Sequence, residues 1–162
     1  MYINYFRQNP EKINNYNYIW IIENDVYFPD SFKNFIDKHS VYQHDLLVGE
    51  YGLRDIKWCW TNTLRGFKKN QNIGVLCVIM RFSAKLMNDF INNIDNKYSG
   101  YLECVLPHIC IEYGYSIQQF LPEMCGILST NNELPLLHFI RKDIVEGRKL
   151  FLENKIYHPI KL

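Results

Sequence analysis

An apolar segment that ends abruptly in two carboxylates constrains this chain more than any other feature. Tyr18–Ile22 is an aromatic and β-branched run of strand length, without alternation of apolar and polar residues. This pattern predicts a strand buried on both faces of an α/β sheet, and we expect that strand to be central. Glu23, Asn24 and Asp25 follow it directly. Ligands of α/β proteins bind at such positions, outside the carboxyl ends of the strands.

Glu23 and Asp25 are separated by a single residue, so both carboxylates can turn towards one cation. Oxygen ligands suit hard divalent ions such as Mn²⁺ or Mg²⁺, which keep coordination positions open for phosphate. An ion held here could bridge a diphosphate and offset the charge on a leaving nucleoside diphosphate. The alternative is a solvated acidic turn, which acid-x-acid alone favours. The preceding strand and the aromatic pair Tyr27–Phe28 weaken that alternative.

The rest of the chain alternates between strand-like and helix-like patterns, which predicts one α/β domain over residues 1–162. We expect strands over 45–49, 74–80 and 115–121. Helices are expected after a cap at Asp30 or Ser31, after Ser83, and from Glu103 to Gly114. A weaker pattern predicts a further helix over 136–151, and 50–72 is expected to be mostly loop.

Composition excludes several classes of protein. The 162 residues carry a formal net charge of +1, which gives no electrostatic reason to expect nucleic acid as a partner. The apolar runs are too short for a transmembrane segment, and the N-terminus has no secretory signal pattern. The five cysteines form no C-x-x-C pair, so we expect buried reduced thiols in a cytoplasmic protein rather than a zinc site.

The segment from Tyr18 to Phe28, YIWIIENDVYF, resembles the strand and acidic motif of GT-A fold glycosyltransferases. In that family an Asp-x-Asp variant follows an apolar strand and binds the metal–diphosphate of a nucleotide-sugar donor. The resemblance implies a Mn²⁺ or Mg²⁺ cofactor with Asp25 as direct ligand. Glu23 would face the ribose or a metal-bound water. It also implies a GT-A-like, Rossmann-related mixed sheet flanked by helices.

Two later segments fit the same resemblance. Gly100-Tyr-Leu-Glu103, followed by Leu106-Pro107, is similar to the acceptor-side segment of these enzymes. There an acidic residue at a helix start can be the general base, so Glu103 is the candidate catalytic residue of an inverting transfer. A helix-capping carboxylate is the alternative. The closing Tyr-His-Pro-Ile-Lys resembles a C-terminal His-Pro-x-Lys. It makes His158 the third ligand candidate and places Lys161 near the diphosphate, unless the tail is unstructured.

Softer signals come from Trp58, Trp60 and Arg81. Two tryptophans in a loop could stack on sugar rings, but core packing is an equal alternative. Arg81 follows a predicted strand and could bind a phosphate, although a structural ion pair explains it equally well. His108 lies in an apolar helix, which favours a packed core histidine.

The resemblance covers only the later part of a GT-A domain, since the acidic motif begins near the N-terminus. The nucleotide-binding half is therefore expected to be absent from these residues. Either they are a fragment of a larger GT-A domain, or a second chain supplies that half, or the protein has lost donor binding. The sequence predicts metal-dependent transfer of a sugar from a nucleoside-diphosphate donor to an acceptor hydroxyl on a glycan or other molecule. The alternatives are a non-catalytic GT-A-like remnant that binds a carbohydrate or a protein, and, more weakly, a metal-dependent phosphohydrolase.

Overall fold

A computed structural model describes residues 2–28, 31–54, 63–67, 73–94, 96–125, 139–140, 158 and 160–161. The chain divides into two units. The first consists of residues 1–21 and 44–119, and the second of residues 22–43 and 120–162.

The first unit is built on a four-stranded sheet in the order β1-β5-β2-β6. The strands are β1 (Tyr18–Ile22), β2 (Leu46–Val48), β5 (Ile79–Ser83) and β6 (Ile117–Gln119). β2 pairs antiparallel with β5 and parallel with β6. The sheet is therefore mixed, and with helices packed on it the predicted α/β class is confirmed at this coarse level.

The expectation that the Tyr18–Ile22 strand is central is wrong within the described residues, because β1 lies at one end of the sheet order. Only Ile19 of this strand is buried, and its neighbours are partly exposed. A run of apolar residues indicates that their side chains are buried, but it does not indicate which strands pair with the run. The topological argument for a crevice at this strand end is weakened accordingly.

The predicted strand over 74–80 is also wrong in its extent. It forms two short strands, β4 (Ile73–Val75) and β5, which belong to different sheets. β4 pairs antiparallel with β3 (Tyr51–Leu53) in a separate two-stranded sheet. The apolar pattern of the sequence does not show this break, because Cys77 and Val78, which lie between the two strands, are as buried as the residues of the strands.

Two helices contribute a large part of the core of the first unit. α4 (Ala84–Asn93) begins at the predicted cap, since the Ser83 hydroxyl accepts a hydrogen bond from the Leu86 amide at 3.1 Å. α5 (Leu102–Tyr113) ends at Gly114, whose φ of 73° is the left-handed conformation that glycine adopts freely. The sheet and both helices share this core, whose members include Leu46, Met80, Phe82, Leu86, Met87, Phe90, Val105, Leu106 and Ile109.

The N-terminal segment forms two helices that the sequence reading did not anticipate as such, α1 (Tyr2–Gln8) and α2 (Glu11–Asn14). Arg7 ties α1 to the end of α4: its guanidinium donates to the carbonyl oxygens of Ile91 and Ile94 at 3.1 and 2.6 Å. A cation placed on the last carbonyls of a helix also complements the helix dipole.

Asp45 joins three strand ends in the first unit. Its Oδ2 accepts hydrogen bonds from the amide and hydroxyl of Ser116 at 3.0 and 2.9 Å, and its Oδ1 accepts one from the Ser83 hydroxyl at 2.9 Å. Burial opposes the charge on this carboxylate. The Ser116 and Ser83 hydrogen bonds, with the Lys85 charge, outweigh burial and lower the pKa of Asp45 below its ordinary value.

The second unit contains α3 (Phe32–His39), a 3-10 helix (Pro122–Met124) and the strands β7 (Phe139–Ile140) and β8 (Ile160–Lys161), which pair in parallel. Ser31 occupies the cap position of α3 but its side chain makes no capping hydrogen bond. The predicted helix over 136–151 is wrong at 139–140, which is strand, and otherwise lies outside the described residues.

Two further properties concern the described parts of the chain. None of the helices there is long and apolar enough to span a membrane. Cys77, Cys104 and Cys110 are buried, as predicted, and Cys125 is partly buried; these four cysteines are not in disulfides. Cys59 lies outside the described residues.

Candidate metal centre

The acidic motif forms a tight turn at the end of β1. The Val26 amide donates to the Glu23 carbonyl oxygen at 3.2 Å, which closes a four-residue turn with the two carboxylates at its first and third positions. The Glu23 side chain is 51% exposed, whereas that of Asp25 is 18% exposed. The turn therefore presents one well-solvated and one largely covered carboxylate.

His158, from the far end of the sequence, lies against both carboxylates. Its Nε2 is 3.1 Å from Oε2 of Glu23 and 3.3 Å from Oδ1 of Asp25, and its side chain is only 13% exposed. One ligand atom from each residue lies within 4.8 Å of the others. The structure thus brings together the three residues that the sequence assigned to a metal site.

The donor set fits a divalent cation. Ligand atoms about 2.1 Å from an ion and at right angles to each other are about 3.0 Å apart, which is close to both observed separations. One imidazole nitrogen and two carboxylate oxygens suit Mn²⁺, and more weakly Mg²⁺, which prefers oxygen alone. Three protein ligands on one side leave positions for water or phosphate oxygens.

A hydrogen-bonded cluster without an ion is the competing arrangement. A protonated imidazole has one Nε2–H, which can be well aligned with only one of the two carboxylates. It also offsets a single negative charge, whereas a divalent cation offsets both.

Aromatic side chains anchor the acidic turn within the second unit. Phe28 contacts the rings of Phe32 and Phe35 on α3 at centroid distances of 5.0 and 5.6 Å. Phe35 is buried and packs edge-to-face on Phe120 at 5.1 Å. Phe28, Phe32 and Phe35 follow one another at intervals of four and three residues, which is the spacing of one helix face. This spacing could have identified from the sequence the aromatic residues that hold the turn.

His39 continues the same stripe and was missed by the sequence reading. It is fully buried, its Nδ1 lies 2.8 Å from the Phe35 carbonyl oxygen, and its Nε2 accepts from the Leu121 amide at 3.3 Å. Since Nε2 is the acceptor, Nδ1 carries the proton and the ring is neutral. His39 thus links α3 to the backbone at Leu121 within the second unit.

The remaining candidates lie in the first unit or outside the described residues. Glu103 is partly buried in the first turn of α5, where the helix dipole favours its ionised form. Trp58 and Trp60 lie outside the described residues, and so does the side chain of Lys161, whose backbone belongs to β8. The catalytic role of Glu103 and the substrate-binding roles of Trp58, Trp60 and Lys161 stay predictions.

Arg81 is only 1% exposed. Its guanidinium lies 3.9 Å from the centre of the Tyr18 ring and donates to the His44 carbonyl oxygen at 3.1 Å. Burial lowers the pKa of Arg81, and Tyr18 partly offsets this. These contacts favour the structural alternative for Arg81. His108 is buried with its Nδ1 2.7 Å from the Cys104 carbonyl oxygen, which confirms the prediction of a core histidine.

Comparison of the chain with protein-family models, with curated proteins and with solved structures finds no match in any of the three.

Proposed function

We propose that this protein is a metal-dependent glycosyltransferase that moves a sugar from a nucleoside-diphosphate donor to an acceptor hydroxyl. The observation that carries the proposal is the meeting of Glu23, Asp25 and His158, with ligand atoms at metal-ligand spacing. The resemblance of the strand and turn to GT-A enzymes adds the donor class. A GT-A-like sheet remains part of the proposal, since the observed sheet supports only an α/β class.

Asp25 and His158 are the proposed direct ligands because their side chains are the better covered of the three. Glu23, being half exposed, is the side chain that can also contact the donor or a bound water. A bound Mn²⁺ or Mg²⁺ would supply charge stabilisation for the departing nucleoside diphosphate.

Glu103 is the proposed general base. It would take the proton from the acceptor hydroxyl as that oxygen forms the new bond to the anomeric carbon and the diphosphate oxygen departs. The reaction inverts the anomeric carbon if this oxygen attacks from the side opposite the diphosphate. A carboxylate is suited to the step because it can accept a hydrogen bond from the hydroxyl before it accepts the proton.

Donor turnover tests the proposal. The chain is incubated with MnCl₂ and a panel of uridine- and guanosine-diphosphate sugars, with and without acceptor glycans, and release of nucleoside diphosphate is measured. We expect weak metal-dependent release at high donor concentration, which Asp25→Asn abolishes. Asp37→Asn changes an exposed acid on α3 that pairs with Lys33, so this control should leave release intact.

Other outcomes would assign another function. Glycan binding by the metal-loaded protein, with no release from any donor, would replace the transferase by a non-catalytic carbohydrate-binding protein. Release of phosphate from simple phosphate esters, without dependence on a sugar, would indicate a phosphohydrolase.

A further inference from the structure

Residues 63–67 form a short strap that lies along residues 97–101, the segment that leads into α5. An antiparallel bridge joins the two segments. The Arg65 amide donates to the Ser99 carbonyl oxygen at 2.9 Å, and the Ser99 amide donates to the Arg65 carbonyl oxygen at 3.2 Å. We propose that the strap positions the first turn of α5, and with it the carboxylate of Glu103. This inference rests on the proposed function, in which Glu103 is the general base.

Thr63 contacts the residue at which α5 begins. The Tyr101 carbonyl oxygen accepts the first hydrogen bonds of the helix, from the Cys104 and Val105 amides at 3.0 and 2.9 Å. The Tyr101 side chain makes no capping hydrogen bond, whereas its amide donates to the Thr63 hydroxyl oxygen at 3.0 Å. The first amides of a helix have no acceptor within the helix, so a hydroxyl from another segment helps to fix where the helix starts. Glu103 is the second residue of that helix.

The backbones of the two segments also lie very close together. A Cβ added to Gly100 would lie 3.1 Å from the Thr63 carbonyl oxygen and 3.1 Å from a methyl carbon of Val105. A Cβ added to Gly66 would lie 2.0 Å from the Lys97 carbonyl oxygen. There is no room for a side chain at Gly66 and little at Gly100. A shift of the strap must therefore also move the residues that precede α5.

Phe67 anchors the other end of the strap. Its ring stacks on that of Tyr98 with a centroid distance of 4.2 Å, and its centroid lies 5.2 Å from that of the His108 ring on α5. Tyr98 is buried, and its hydroxyl donates to Oε1 of Glu112 on α5 at 2.6 Å. The strap is therefore held against the body of α5 at one end, while Thr63 at its other end bonds the start of the helix.

The consequence concerns the position of the Glu103 carboxylate. A general base works only within hydrogen-bond reach of the proton that it removes, and a displacement of about 1 Å can slow a reaction about 10²-fold. Loss of the Thr63 hydroxyl removes one acceptor from the Tyr101 amide and allows the first turn of α5 to shift. Thr63 is thus a positioning residue, which acts through Glu103 and not through contact with the substrate.

Amide hydrogen exchange of the whole chain, read by NMR, tests the strap without any substrate. Thr63→Val retains the shape of the side chain but lacks the hydroxyl, and Thr63→Ser retains the hydroxyl. We expect exchange of the Tyr101 amide to be about tenfold faster in Thr63→Val, as for the loss of one hydrogen bond, and close to wild type in Thr63→Ser. Exchange in β2, the reference for folding, should stay constant because Thr63 is only partly buried. Unchanged exchange at Tyr101 in Thr63→Val would overturn the proposal.

A double-mutant cycle on acceptor-dependent turnover tests whether Thr63 acts through Glu103. Thr63→Val should slow turnover at high donor and acceptor concentration about tenfold or more, without changing its dependence on donor concentration, and Thr63→Ser should turn over as wild type does. In a Glu103→Gln background, Thr63→Val should cause no further slowing, because no base remains to be positioned. Equal slowing in both backgrounds would indicate a general structural effect and overturn the proposal.

Failure of the positioning role and failure of the proposed function give different results. Donor turnover that is the same in wild type and Thr63→Val would refute the positioning role and leave the transferase standing. Faster exchange at Tyr101 in Thr63→Val, with no donor turnover by the wild-type chain, would refute the transferase and leave the strap standing as the support of α5.

Discussion

At the scale of single residues, the carboxylates of Asp25 and Asp45 differ in their surroundings and in the roles that we propose for them. Asp25 is largely covered and lies beside an imidazole from the opposite end of the sequence. Asp45 is surrounded by hydroxyl and amide donors, so its charge is already satisfied by the protein. Hydrogen-bond donors suit a structural carboxylate, whereas two carboxylates beside an imidazole nitrogen can also bind a cation.

The Asp45 carboxylate should make the stability of the folded protein depend on pH, and its substitution should remove that dependence. The pKa of Asp45 is lowered in the folded protein, so its contribution is present above the ordinary value of 3.8 and is lost as pH falls through the lowered value. Asp45→Asn should cost about 1–3 kcal/mol at pH 7. Urea unfolding checks this. A penalty that does not shrink as the pH is lowered would contradict the electrostatic role of Asp45.

Substitution of Glu103 shows whether this residue is a catalytic base or a carboxylate that only stabilises its helix. Glu103→Gln retains the shape but cannot take a proton, so transfer should slow by about 10² to 10⁴. Donor binding and the thermal midpoint should change little. The measurement is turnover at saturating donor and acceptor. Unaltered turnover would show that Glu103 serves the helix only, and the inverting assignment would then be withdrawn.

At the scale of elements, α3 is the support of the acidic turn. Phe28 is the contact between them, because it reaches Phe32 and Phe35. Phe28→Ala should loosen the turn and weaken Mn²⁺ affinity by about tenfold, equivalent to ~1.4 kcal/mol, while Phe28→Leu retains most of the packing and the affinity. Calorimetry compares the two. Equal affinities would remove Phe28 from the support of the site.

Two glycines of the first unit should differ in their tolerance of a side chain. At Gly114 an added Cβ meets nothing within 4 Å, so Gly114→Ala pays only for the positive φ, about 1–2 kcal/mol. At Gly66 a Cβ would lie 2.0 Å from the Lys97 carbonyl oxygen, so Gly66→Ala must also displace backbone and should cost clearly more. Chemical denaturation of both variants measures the difference. A smaller loss for Gly66→Ala would contradict the close approach.

At the scale of the whole molecule, local signals predicted elements well and their partners poorly. The Ser83 cap and the Gly114 stop are set by neighbours in sequence, and both lie where expected. The edge position of β1, and the division of residues 73–83 between two sheets, depend on strands remote in sequence. The hydrophobic pattern within a segment does not indicate which remote strands the segment pairs with.

The candidate site divides in the same way. Glu23 and Asp25 were visible from the residues alone, as carboxylates that end an apolar run. His158 came only from the resemblance of the last residues to a family pattern, since nothing local connects the C-terminus to the turn. The helical spacing of Phe28, Phe32, Phe35 and His39 could have indicated that these rings pack together, but spacing alone does not indicate that they hold the acidic turn.

Calorimetric titration with MnCl₂ is the most direct test of the central claim, that Glu23, Asp25 and His158 bind a divalent cation. The account predicts saturable binding of a single ion. Asp25→Asn should weaken binding at least about tenfold, because it removes a charged ligand while keeping the shape of the side chain. Asp37→Asn, on the exposed face of α3, should bind as wild type does. Equal binding by wild type and Asp25→Asn, or no binding by either, would contradict the account.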